Sequence, residues 1–207
     1  MENIEIKELK IEDIKNDFLI DFHRYQEVKD YYIKYNENWI IVNNENKYTI
    51  TWDKKYKEHK TENIIKIIRE NGFAIGAYDN KKLIGFACLL NEVFGTEKQY
   101  IELKYIYISY GYRNKGIGKK LFLLCVEKAK EIGIKKIYIR AGKSLETQKF
   151  YLKNGCKDAM EVKEEYKNKE DERQMEYEIW KGKKPAPKGS YAKVSLKLVD
   201  KFIDYMV

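Results

Sequence analysis

Histidine and proline are the scarcest residues of this 207-residue chain, with two of each. His23 and His59 stand far apart, and no cysteine or second histidine lies near either at ligand spacing, so no metal is expected. Cysteine is nearly as rare: Cys88, Cys125 and Cys156 are odd in number, widely spaced and set among apolar neighbours. That usage excludes a disulfide framework and reads as reduced core residues of a cytoplasmic protein. Long apolar runs are missing. The longest, such as Ile84 to Leu90, fall far short of the roughly 20 residues a membrane helix needs. The first fifteen residues are charged throughout, which excludes the apolar segment of a signal peptide.

What the chain does have is a folding composition, 43% apolar and 14% aromatic, under a surface in which 36% of residues are charged. Its length suits one medium domain with room for a core. The net charge of +8 is unevenly spread: from Lys181 onward seven lysines face two aspartates, leaving the first 180 residues mildly basic. Such a domain has no electrostatic call for nucleic acid. Both prolines, Pro185 and Pro187, sit in Lys181 to Ser190 (KGKKPAPKGS), the sharpest composition break in the sequence. We therefore divide the chain into a domain over 1–180, a linker over 181–190 and an apolar extension over 191–207. The extension carries Leu198, Val199, Phe202, Ile203 and Met206, which need a surface to cover them. That surface belongs to the same subunit or to a second copy, in a homodimer.

Along the domain, Ile4 to Leu9 alternates as a strand and Glu12 to Phe22 reads as a helix. Arg24 to Trp52 reads as short strands or irregular loop, with strand-like pieces at 39–42 and 48–50. Asp53 is the expected N-cap of a helix reaching Arg69, with Gly72 as its C′ residue. Phe73 to Tyr78 and Leu83 to Leu90 flank a turn at Asp79-Asn80 and predict a hairpin. Lys136 to Arg140 reads as a strand, Leu145 to Lys153 as a helix stopped by Asn154-Gly155, and Cys156 to Val162 and Gln174 to Trp180 as late strands.

The organising stretch is Arg113-Asn114-Lys115-Gly116-Ile117-Gly118. The apolar, aromatic strand Tyr100 to Ser109 precedes it. After it, Lys119 to Ile132 places Leu121, Leu124, Cys125, Ala129 and Ile132 on one helical face. Strand, glycine turn and helix bring backbone N–H groups to bear on an anion, and Lys119 adds charge. A P-loop is excluded because Ile117-Gly118 stand where Lys and Ser/Thr belong. A dinucleotide fingerprint is excluded because Leu121 replaces its third glycine. Taken alone, the residues suit either a phosphate or pyrophosphate cradle or a plain structural turn.

The pattern R-x-x-G-x-G after a hydrophobic strand resembles the acyl-CoA-binding turn of the GNAT-type N-acetyltransferases. A second segment agrees: Phe150-Tyr151-Leu152-Lys153-Asn154-Gly155-Cys156 is similar to the family's F-Y-x-x-x-G-F, with cysteine for the last phenylalanine. The resemblance spans Gly72 to Trp180, roughly half the chain. It implies an α/β fold with a central mixed, mostly antiparallel sheet flanked by helices, followed here by the C-terminal extension. It implies acetyl-CoA as cosubstrate, its pyrophosphate held by Arg113, Asn114, Lys115, Gly116, Ile117, Gly118 and Lys119. Main-chain groups of Ile106, Tyr107 and Ile108 would pair with the pantetheine arm. Ser144, seven residues before Tyr151, holds the place where many members carry an asparagine that contacts CoA. Tyr151 matches the tyrosine that often protonates the CoA thiolate; the alternative is a core aromatic. Glu102 matches a general base, acting directly or through water; the alternative is an ion pair with Lys104 on the same strand face.

On this reading the protein moves an acetyl group to a primary amine, most naturally on a small molecule, by direct transfer in a ternary complex. Tyr25, Tyr31, Tyr32, Tyr35 and Trp39 suit either an acceptor wall or a cover for the core. The competing functions are a protein or peptide N-acetyltransferase, and a non-catalytic acyl-CoA-binding or nucleic-acid-associated module.

Overall fold

The computed structural model describes residues 4–15, 17–36, 38–167, 169 and 172–179, and the linker and extension lie outside them. The strands are β1 (Ile4–Glu8), β2 (Tyr25–Tyr35), β3 (Asn38–Thr51), β4 (Phe73–Asp79), β5 (Lys82–Phe94), β6 (Tyr100–Ile108), β7 (Lys136–Gly142), β8 (Lys157–Asp158) and β9 (Glu172–Glu178). The helices are α1 (Lys54–Arg69), α2 (Ile117–Glu131) and α3 (Leu145–Lys153), with short 3-10 turns at Ile11–Asp13, Tyr110–Tyr112 and Glu164–Tyr166. Seven strands form one sheet in the order β1-β4-β5-β6-β7-β9-β8, while β2 and β3 pair with each other. Every pairing is antiparallel except β6 with β7, which α2 connects. This is the mixed, mostly antiparallel α/β architecture that the resemblance implies.

Central β5 is buried from Leu83 to Leu89, as a strand covered on both faces should be. On one face Leu121, Phe122 and Cys125 of α2 and Tyr151 of α3 pack on Ile84, Leu103 and Ile139. On the other, Ile64 and Ile67 of α1 join Leu19, Phe22 and Trp52 against Phe86 and Cys88. All three cysteines are free and buried.

Several expectations need correction. Glu12 to Phe22 is not an α-helix. Its hydrogen bonds, Phe18 to Lys15, Ile20 to Asp17 and Phe22 to Leu19, close short turns, and the run of Asp and Asn favours such turns over helix. Arg24 to Trp52 is a long, continuous hairpin rather than scattered pieces. Gly72 is not the left-handed residue after α1. Asn71 takes that role at φ 61°, and Gly72 instead donates to Ile67 O at 2.8 Å, completing a Schellman pair. Any Cβ at Gly72 would come 2.7 Å from Leu89 O, so close packing demands the glycine there. The first late strand shrinks to the two residues of β8, because the chain turns away after Asp158.

Candidate functional site

The site begins where the sheet splits. β6 and β7 pair only over Tyr100–Leu103 and Lys136–Ile139, after which β6 continues on β5 alone and β7 on β9 alone. Cys88 lies opposite Tyr105 and Leu89 opposite Leu103, so Lys104 is an extra, bulged residue that resets the side-chain alternation. Ile101, Leu103, Ile106 and Ile108 face α2 and α3, while Tyr105 and Tyr107 face α1. The fork thus has a helix-turn side and an α1 side. The β2–β3 hairpin straddles its mouth: Tyr110 N donates to His23 O at 2.8 Å, and Tyr32 N to Lys143 O at 2.9 Å.

On the first side lies the glycine turn. Asn114 and Gly116 take left-handed φ values of 60° and 78°, and Gly116 caps α2. In a first helical turn the N–H groups of Ile117, Gly118 and Lys119 have no intrahelical acceptor. A Cβ at Gly116 would meet nothing within 4 Å, so the space over these donors is open, and Asn114, Lys115 and Lys119 are exposed around it. The turn therefore fits an anion of pyrophosphate size. Gly118 serves packing as well, since a Cβ there would lie 3.1 Å from the Phe150 ring. Arg113 braces the turn rather than reaching outward: Nε donates to Ile108 O at 3.3 Å and Nη1 to the Glu146 carboxylate at 3.3 Å.

Tyr151 lies on the same side, buried against Phe122 and Phe150. Burial, with Cys156, Tyr107 and Cys125 beside it, raises its phenol far above the ordinary value, so it stays protonated as a donor must. Ser144 is 6% exposed, and its hydrogen bonds are made within the protein. Its Oγ caps α3 through Thr147 N, donates to Thr147 Oγ1 at 2.8 Å and accepts from Gln26 Nε2 at 2.8 Å. Cys125 is held protonated by burial, which excludes a thiolate nucleophile there.

On the α1 side, at the apex of the fork, Glu102 is 1% exposed. Its Oε1 accepts from Arg140 Nε at 3.2 Å and Lys104 Nζ at 3.4 Å, and its Oε2 from the Tyr166 hydroxyl at 3.3 Å. The Lys104 pair expected from the sequence is present, and Arg140 and Tyr166 add to it. The sequence reading did not single out Arg140, although it shares a strand face with Tyr138 in KIYIR. Lys60 was overlooked although it breaks the apolar stripe of α1 at the spacing of Ile64 and Ile67; its ammonium lies 4.0 Å from the Tyr105 ring centroid and 5.1 Å from that of Tyr56. Of the expected aromatic wall, Trp39 donates to Asp158 at 3.0 Å and stacks under Arg173, away from the fork, and Tyr35 is exposed. Tyr25 packs on Tyr110 at the mouth. Among the described residues, no three His, Cys, Asp or Glu side chains gather as a metal site, and no helix is long and apolar enough to cross a membrane.

A forked sheet with a glycine turn opening a helix on one side suits an acyltransferase. Residues 15–156 match the family model described as the acetyltransferase (GNAT) family, and the chain belongs to that family. No curated protein gives a significant sequence match. Among solved structures, a candidate streptothricin acetyltransferase from Bacillus anthracis, in complex with acetyl coenzyme A, is 18% identical with TM-score 0.61, covering 84% of this chain and 96% of its own. The PaiA N-acetyltransferase of Thermoplasma acidophilum, in complex with coenzyme A, is 22% identical with TM-score 0.55, covering 85% and 99%. The ribosomal-protein-S18-alanine N-acetyltransferase of Escherichia coli is 13% identical with TM-score 0.54, covering 89% and 99%. At such identities the likeness is one of fold, and their differing acceptors leave the substrate class open.

Proposed function

We propose that the protein transfers the acetyl group of acetyl-CoA to a primary amine of a small molecule, directly, in a ternary complex. The observation that carries this reading is the fork itself, with an anion-binding turn on one side and a charged, aromatic surface on the other. The N–H groups and lysines of 113–119 would hold the pyrophosphate, with Arg113 fixing the turn to β6 and α3. The strand edge at Ile106, Tyr107 and Ile108, unpaired on its β7 side, would receive the pantetheine arm. Acetyl-CoA supplies the activated acyl carbon and a thiolate leaving group. Tyr151, kept protonated, would return a proton to that thiolate. An incoming amine is an ammonium at neutral pH and must lose a proton before it attacks. Glu102 would take that proton through water at Oε2, which accepts one long hydrogen bond, from Tyr166, where Oε1 accepts two, from Arg140 and Lys104. Ser144 contributes the cap of α3 rather than a free hydroxyl.

The test is an amine panel with acetyl-CoA, read as release of free thiol. Turnover is expected, and Tyr151→Phe should lower kcat by about 10²–10⁴-fold with little change in KM, the range typical of general acid catalysis. Glu102→Gln should remove the rising limb of the pH–rate profile. Tight CoA binding with no turnover of any amine would instead favour a non-catalytic acyl-CoA-binding module.

A further inference from the structure

The charges on the α1 side of the fork do not balance. Glu102 is matched by Lys104 and Arg140, and Arg140 also holds Glu172 at 3.1 Å. Two cations remain. Lys60 is 6% exposed, with its ammonium 4.0 Å from the centroid of Tyr105, 5.1 Å from Tyr56, 5.7 Å from Trp52 and 5.8 Å from Tyr107. Among the described residues no carboxylate lies within ion-pair distance of it. Arg24 places its guanidinium 5.6 Å from the same Tyr107 ring and donates to Gln26, while its Nε is buried without a partner. Its charged neighbours are Arg113 and Glu146, which pair with each other, so Arg24 has only a share of that carboxylate.

An ammonium taken out of water without an anion is costly, and ring faces return only part of that cost. An aliphatic side chain at position 60 would extend the Ile64–Ile67 stripe without the penalty. Two cations flanking one tyrosine, Lys60 with no carboxylate of the described residues in ion-pair reach and Arg24 sharing the single carboxylate of Glu146 with Arg113, are what remains when the counter-ion arrives with a ligand. We propose that Lys60 and Arg24 form the anion-recognising end of the acceptor site, so that the amine acetylated by this protein also carries a carboxylate, seated beside Tyr107. This rests on the acetyl-transfer reading above and names its substrate class. Burial and nearby Lys104 lower the Lys60 ammonium to about 8, and a bound carboxylate would reverse that shift. Polyamines are disfavoured by the same arrangement, since their second ammonium meets two fixed cations.

The experiment compares matched acceptors, amino acids and their carboxamides, with acetyl-CoA and free-thiol detection on the full chain. The acids are expected to show at least tenfold higher kcat/KM. Lys60→Met should reduce that preference at least tenfold, through KM, while Lys60→Arg retains it and CoA affinity measured by calorimetry stays unaltered in both. Equal efficiency of acids and amides in the wild type overturns the inference alone. So does a Lys60→Met variant that weakens both series equally or loses CoA affinity, the last assigning the charge to the cosubstrate. Turnover of neither series, with CoA bound, overturns this inference alone where another amine of the wider panel reacts, and the acetyl-transfer reading with it where none does.

Discussion

Lys60 carries its charge under conditions that pH should expose. Its folded value of about 8 lies below the ordinary 10.5, so between those two values the unfolded chain binds more protons than the folded one. Stability from this residue therefore rises as pH goes from about 8 to 10.5, and the full penalty is present below 8. Lys60→Met is expected to raise Tm at pH 7, each 1 kcal/mol relieved being worth roughly 2–4 °C in a chain of this size, and to lose that advantage by about pH 10.5. Thermal unfolding at the two pH values checks it; a gain that does not change with pH would mean the charge is not the cause. Gly116 and its neighbours invite a different measurement. Reversing the exposed lysines of the turn, Lys115→Glu with Lys119→Glu, sets carboxylates beside the helix N-terminus, where they compete with and repel a pyrophosphate. About 1 kcal/mol at each position predicts at least a tenfold loss of CoA affinity by calorimetry, with Tm little altered. Unchanged affinity would remove the turn from the binding site.

At the scale of elements, α3 was legible to the residue because Ser144 caps it and Asn154-Gly155 stop it. The β4–β5 hairpin was legible as a hairpin, but its two-residue turn is Asn80-Lys81, both at positive φ, one position beyond the expected Asp79-Asn80. The β2–β3 hairpin was not. Much of it is exposed on both faces, so no alternation of apolar and polar residues marks its strands. Its anchors, Gln26 on Ser144 and the Tyr31–Ser144 bridge, join residues more than a hundred positions apart. The site divides in the same way. The glycine turn, Tyr151 and the Glu102–Lys104 pair are local motifs, whereas the Lys60 cage joins residues 52 and 56 to residues 105 and 107 of a distant strand. Ser144→Ala tests the link between α3 and the hairpin. It removes the cap and one partner of a Gln26 side chain that is 5% exposed, so a loss of about 1–3 kcal/mol is expected by chemical denaturation. No loss would mean that Glu146 and Thr147 alone hold Gln26.

For the whole molecule, the chain beyond residue 180 keeps its own test. Its apolar residues exceed what a solvated lysine-rich tail requires. Truncation after Trp180 is expected to lower Tm or to change the mass measured by light scattering; if stability, mass and activity all match the full chain, the extension is dispensable. The forked sheet has a mechanical consequence. Four strands, β1-β4-β5-β6, and three, β7-β9-β8, are two leaves sewn together by four residue pairs, Tyr100–Lys136 to Leu103–Ile139, with the N-terminal hairpin strapped across the open end. The seam is short, and the core under α2 and α3, which packs on Leu103 of one leaf and Ile139 of the other, does the rest of the joining. A molecule laid along the inner edges of β6 and β7 takes the place of the missing rungs, so hydrogen–deuterium exchange at the fork-facing amides of 104–108 should slow when CoA is added. On that reading the cosubstrate would do for the sheet what a further stretch of paired strand would do.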